Sequence, residues 1–228
     1  GALPSHTCMD TPLPVDTSED RPHIAFTPYL RQLTERVVDG LEDPLDRARA
    51  IYDYLTQHID YRYQPPYLLL GSIADDCAHS LRGDCGVMAL TFITMCRIAG
   101  VPARWQSGLF VTPDDTGCHD WAQFYIAPYG WLFADPSFGG SAHRMGDSER
   151  NDFYFGNLDP FRMAANSELQ ADFDPPKTQL RIDPFDNQRG EAEYAALACP
   201  IGEHAPERDE AAHDGRGHYH RHQGHSPI

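Results

Sequence analysis

The sequence predicts a mixed domain in which helices come first and an antiparallel run of strands follows. Three observations predict it. Two amphipathic helical patterns, each with proline at its first helical position, open the folded part over residues 27–40 and 43–59. A stretch that is apolar nearly all round, residues 85–100, reads as a helix enclosed by the domain. After Gly100, residues 101–111, 119–126 and 131–134 are rich in β-branched and aromatic residues and are separated by turn signals.

The first helix begins at Thr27-Pro28, a cap followed by proline, and stops near Gly40, with Leu30, Leu33, Val37 and Leu41 as its stripe. Asp43-Pro44 repeats that grammar, and Leu45, Ala48, Tyr52, Leu55 and Ile59 recur at helical spacing. The enclosed helix has Asp84 as its cap and Gly100 as its C′ residue, with Pro102 close behind. Around that helix, Cys85, Met88, Phe92, Met95 and Ala99 form one stripe, which Val87, Leu90, Ile93 and Ile98 widen. Cys96 lies inside it and reads as packing. Pro128-Tyr129-Gly130 turns the second strand into the third, and Asp135-Pro136 closes the return.

Residues 1–25, with Pro4, Pro12, Pro14 and Pro22 among polar residues, read as an extended N-terminal arm or linker. Residues 141–190 read as irregular packing over the core with one or two further strands. Residues 191–228 read as a tail, first Ala/Glu-rich and acidic, then rich in His, Gly and Arg. That tail holds His213, His218, His220, His222 and His225, a composition that suits either a solvated tail or transition-metal binding.

A net charge of −16 argues against nucleic acid and anionic membrane surfaces as partners. No apolar run approaches the roughly 20 residues that span a bilayer. The first residues lack the basic and apolar regions of a signal peptide and lack an initiator methionine, as expected of a piece of a longer chain. Cellular compartment and oligomeric state are not legible in this sequence. The 228 residues and 41% hydrophobic content allow a core that needs no disulfide framework from the six cysteines.

Cys85 sits where the N–H groups and dipole of a helix start favour an anion, which would lower a thiol's pKa. The alternative is a small core residue. Two later residues favour chemistry. His119 opens a strand and Asp135 closes the next, so Cys, His and acid occur in the order and settings that thiol acyl chemistry uses. Period-two alternation requires His119 and Asp135 to share a face. A hairpin with Tyr125 opposite Trp131 sets Asp135 against Trp121, diagonal to His119; Ile126 opposite Trp131 would put it on the wrong face. A three- or five-residue loop, or a bulge, is therefore predicted. Cys118-His119 beside Cys85 could suggest zinc, but strand neighbours point to opposite faces and cannot easily ligate one ion.

The runs Gly83-Asp84-Cys85, Gly100-Val101-Pro102-Ala103-Arg104, His119-Asp120-Trp121 and Gly130-Trp131-Leu132-Phe133-Ala134-Asp135-Pro136-Ser137 together resemble the transglutaminase-like superfamily of papain-type thiol enzymes, in its bacterial form. Ile59-Asp60-Tyr61 is similar to the tyrosine segment preceding the cysteine in bacterial members. Gly86 departs from the pattern, since a bulkier or polar residue commonly follows the cysteine. The resemblance implies an α+β fold in which the Cys helix packs on an antiparallel sheet, over a catalytic domain at residues 26–190. It implies a Cys85–His119–Asp135 triad, a thioester intermediate, a peptide or protein substrate, and no metal or organic cofactor. Tyr61 is the candidate oxyanion donor beside the Cys85 N–H, or else a core tyrosine satisfied elsewhere. Trp121, two residues from His119, is the candidate shield of the imidazole, or else plain sheet packing. Arg104 is expected in a structural ion pair.

Three functions are compatible with these residues. A thiol amidase or peptidase leads; an amine-transferring crosslinker uses the same side chains. An inert binding module of a larger protein is disfavoured by the intact triad. Eukaryotic members of the family are calcium-dependent, and Asp114-Asp115 would be the first place to look for such an ion.

Overall fold

The computed structural model describes residues 15–62 and 67–169, together with Pro176 and Thr178. The first fourteen residues of the expected arm, the expected tail and most of residues 170–190 lie outside the described residues. At its other end the expected arm enters the core: Asp20 bridges to Ile24, and Ile24 and Ala25 are buried.

Cap chemistry sets the helices. Thr27 accepts from Leu30 N and starts α1 (Pro28–Val37), and Asp43 accepts from Leu45 N and Asp46 N and starts α2 (Pro44–His58). Strand β1 (Asp60–Tyr61), a 3-10 turn (Tyr67–Leu69), α3 (Ile73–Ser80) and β2 (Arg82–Gly83) follow. Then comes α4 (Cys85–Ile98), whose residues from Gly86 to Cys96 are all buried. Gly100 holds φ +79°, the left-handed conformation in which glycine ends a helix at little cost.

The sheet has strands β3 (Ala103–Val111), β4 (Thr116–Ile126), β5 (Gly130–Ala134), β6 (Phe155–Gly156) and β7 (Arg162–Asn166), in the spatial order β6-β5-β4-β3-β7 with every pairing antiparallel. Helix α4 lies against β4, where Phe92 meets Phe124 edge-on with ring centroids 5.8 Å apart. Helices α2 and α3 complete the casing of α4 with Ile51, Leu55, Ile73 and Cys77, all fully buried. This is an α+β fold.

The segment after Asp135 differs from expectation. The sequence predicts that Asp135-Pro136 closes a strand and that residues 141–190 are irregular with one or two strands. The structure has two helices there, α5 (Pro136–Arg144) and α6 (Ser148–Phe153), before β6 and β7. Asp135 accepts from Phe138 N and caps α5, with proline at the first helical position, the grammar already used by Thr27-Pro28 and Asp43-Pro44.

Candidate active site

Cys85 is the first residue of α4. Asp84 caps the helix by accepting from Val87 N at 3.1 Å. The turn ahead of it is pinned by the parallel pairing of Tyr61 with Gly83, in which Arg62 N donates to Gly83 O at 3.0 Å. Tyr61 is thereby brought beside the residue two positions before the thiol. A second tyrosine, which sequence reasoning did not single out, also reaches this spot: the Tyr67 hydroxyl bonds Asp84 Oδ1. The Cys85 Sγ lies 3.5 Å from Asp120 Oδ2, with the thiol as donor.

Gly86 is explained by the same cluster. A Cβ there would stand 2.7 Å from Asp120 Oδ2 and would also meet the Tyr67 hydroxyl, so the position after the cysteine has no room for a side chain. The electrostatics reverse the expectation of a depressed thiol. Burial, then the charges of Asp120 and Asp84, push Cys85 well above the ordinary thiol range; the Asp120 N–H, aimed at the sulfur, works the other way. The helix start is as predicted, but two carboxylates crowd it.

His119 and Asp135 meet because of strand register. Tyr125 pairs with Trp131 and Ile126 with Gly130, leaving residues 127–129 as a three-residue loop, the odd length that the shared face requires. Asp135 then follows Ala134, which sits opposite Ala122. His119 Nε2 lies 2.7 Å from Asp135 Oδ2, and both side chains are buried. An ionised Asp135 fixes the tautomer with the proton on Nε2, which leaves Nδ1 to exchange a proton with a nucleophile. The other carboxylate oxygen, Oδ1, accepts from Ser137 Oγ at 2.9 Å and Phe138 N at 3.0 Å. Burial alone would raise the Asp135 pKa. His119, Arg162 and the Phe138 N–H outweigh it and hold the carboxyl far below the usual carboxylate range.

Arg162 is the residue of this cluster that the sequence did not announce. It comes from β7, inside the segment read as irregular, and its Nη1 lies 2.9 Å from Asp135 Oδ2 while its Nε bonds Asp159 Oδ2 at 3.0 Å. Neither Nη atom makes an aligned hydrogen bond, so the contact with Asp135 is an ion pair and not a bidentate fork. Its guanidinium carbon stands 4.3 Å from the Phe138 ring centroid and 5.7 Å from that of Trp121.

Rings wall the imidazole. Trp121 stacks near His119 with centroids 6.1 Å apart and donates its indole N–H to Gln106 Oε1; Phe138 meets His119 edge-on at 4.6 Å. Cys118 is exposed while its neighbour His119 is buried. Among the described residues no group of three or more His, Cys, Asp or Glu is arranged to hold a metal ion, and no helix is long and apolar enough to cross a membrane. Among the described residues Arg104 does not make the expected ion pair: its Nε bonds Gln123 Oε1 at 2.6 Å and its guanidinium lies over Trp131, 3.9 Å from the centroid.

Residues 31–136 match the transglutaminase-like superfamily, a span that takes in Cys85, His119 and Asp135. No curated protein matches the chain. Among solved structures, a Cytophaga hutchinsonii protein provisionally described as a cysteine protease is 23% identical. The match covers 47% of this chain and 36% of that one, with a TM-score of 0.40. The periplasmic domain of TgpA from Pseudomonas aeruginosa is 18% identical over 60% of this chain and 50% of that one, with a TM-score of 0.46. A Parabacteroides distasonis protein provisionally described as a protease is 11% identical over 46% of this chain and 22% of that one, with a TM-score of 0.37. The chain thus spans half or less of the length of each of these structures. The likeness to the transglutaminase-like superfamily rests on residues 31–136, somewhat under half of the chain.

Proposed function

We propose that the protein is a thiol-dependent amide-bond hydrolase, a cysteine peptidase or amidase, that acts on a peptide or protein through a thioester on Cys85. The observation that carries the reading is the buried 2.7 Å bond between His119 and Asp135, made on a strand whose next residue touches the Cys85 sulfur. In this reading His119 Nδ1 takes the thiol proton as sulfur adds to the substrate carbonyl carbon. The carbonyl oxygen becomes an oxyanion facing the N–H groups of Cys85 and its helix start. Collapse breaks the C–N bond and the leaving amine takes the proton from His119. Water then adds to the thioester, giving up a proton to His119, and the carboxylic acid departs as the proton returns to sulfur. Asp135 holds the ring and balances its charge throughout. Tyr61 lies beside the helix start and its hydroxyl is the candidate second donor to the oxyanion; the Tyr67 O–H is already given to Asp84. Trp121 keeps water from the imidazole. In the same reading the catalytic domain runs over residues 26–190, between the arm and the tail.

The test is a peptide-library incubation with mass-spectrometric detection of an acyl adduct on Cys85, run with and without an added primary amine. Hydrolysed peptides, a Cys85 adduct, and loss of both in a folded Cys85→Ala variant are expected. Hydrolysis that survives Cys85→Ala would overturn the reading, and transfer to the amine in preference to water would replace it with crosslinking.

A further inference from the structure

We infer that Arg162 is a positioning residue that, by sharing Asp135 with His119, opposes transfer of the Cys85 proton to the imidazole. The inference rests on the proposed triad. It adds a residue from β7, beyond the span that matches the family.

The argument starts from one oxygen. Asp135 Oδ2 receives both His119 Nε2, at 2.7 Å, and the Arg162 guanidinium, at 2.9 Å. A carboxylate shared with a permanent cation has less negative potential left for its other partner. Arg162 is buried, so water does little to screen it. Protonating His119 would put a second positive charge on an oxygen that already has one.

The groups around Arg162 fit this account. Asp159, from the loop ahead of β7, takes the guanidinium Nε; Tyr154, at the end of α6, bonds Asp159 Oδ2 through its hydroxyl at 3.0 Å. Arg150 of α6 lies 5.9 Å from the Phe138 and Tyr154 ring centroids, on the same aromatic wall. Asp159 therefore offsets part of the Arg162 charge, and the remainder acts on Asp135. On the sulfur side, Asp120, Asp84 and the Tyr67 hydroxyl face Cys85 from β4, the helix cap and the 3-10 turn. None of these is a cation that would hold a thiolate. Both sets of charges oppose a thiolate on Cys85.

The experiment needs no substrate, so its failure and a failure to find hydrolysis are separate outcomes. The rate of Cys85 alkylation by iodoacetamide is followed against pH by peptide-resolved mass spectrometry. In Arg162→Gln, Asp135 acts undivided on the imidazolium, thiolate forms more readily, and the midpoint of the profile moves to lower pH by about one unit. Arg162→Lys keeps the cation and is expected to stay close to wild type. Asp159→Asn removes the partner that offsets Arg162 and is expected to move the midpoint the opposite way, to higher pH. A purely structural role would leave the midpoints of folded variants where they are. Superimposable profiles for wild type and Arg162→Gln would overturn the inference. If Arg162→Gln does not fold, an Asp159→Asn profile that is unmoved, or moved to lower pH, would overturn it.

Discussion

Asp120 is the side chain that bears most on the Cys85 thiol, and Asp120→Asn isolates its charge with little change of shape. Two unit charges at the observed 3.5 Å interact by about 5 kcal/mol at an effective dielectric constant of about 20. The amide dipole and local relaxation return part of this; what remains lowers the thiol pKa, and the gain in thiolate at neutral pH exceeds the accompanying loss of intrinsic nucleophilicity, which follows basicity at a slope of about 0.4–0.5. The net expectation is about a tenfold faster alkylation of Cys85 by iodoacetamide at pH 7. Exposed Cys118 serves as the internal control, and its rate should not change. An unchanged or slower Cys85 rate in the folded variant would refute the electrostatic account of the site.

Two further predictions concern stability. Asp135 has a folded pKa held far below its unfolded value, so its contribution is fully present above about pH 4 and is lost as pH falls from there toward the folded value. The wild-type urea midpoint should drop on acidification below about pH 4, by about 1.4 kcal/mol per pH unit from this group, and Asp135→Asn should flatten that slope; parallel slopes would contradict it. Gly139→Ala should destabilise by about 3 kcal/mol in urea unfolding, because its Cβ would stand 2.6 Å from Tyr52 Cζ, a fully buried ring whose hydroxyl is tied to Asn151 O at 2.8 Å. A neutral result there would mean that α5 shifts away from α2 without cost.

Cap-proline pairs made α1 and α2 legible, and the all-round apolar pattern made α4 legible, because each is a local signal. Helix α5 carries the same local signal at Asp135-Pro136. There one aspartate both follows the end of a strand and caps the helix, so the strand's close masks the cap. Strand β7 is different. Its residues Arg162, Met163, Ala164, Ala165 and Asn166 show neither β-branched enrichment nor alternation, and the strand exists through pairing with β3 across an irregularity at Ser107/Gly108. Gly108 permits that pairing, since a Cβ there would run into the Met163 backbone. A contact made by tertiary pairing leaves no periodicity in the sequence, and so Arg162 had no signal to find.

The departure at Gly86 and the aspartate at position 120 are one feature and not two. Asp120 Oδ2 and the Tyr67 hydroxyl fill the space that a side chain after the cysteine would take, so Gly86 is the condition for a carboxylate to approach the sulfur. That carboxylate opposes what the helix start favours, and at 3.5 Å a full charge outweighs the half-charge of a helix terminus spread over its first turn. On the proposed reading Arg162 acts on His119 in the same sense, by drawing on Asp135. Changes at either end therefore release the thiolate. If the two ends act through the one shared proton, Asp120→Asn combined with Arg162→Gln should accelerate alkylation by less than the product of the single effects, because a proton already displaced cannot be displaced again. Multiplicative gains would mean that the sulfur and the imidazole titrate independently, and that the His119 cluster does not govern the state of Cys85.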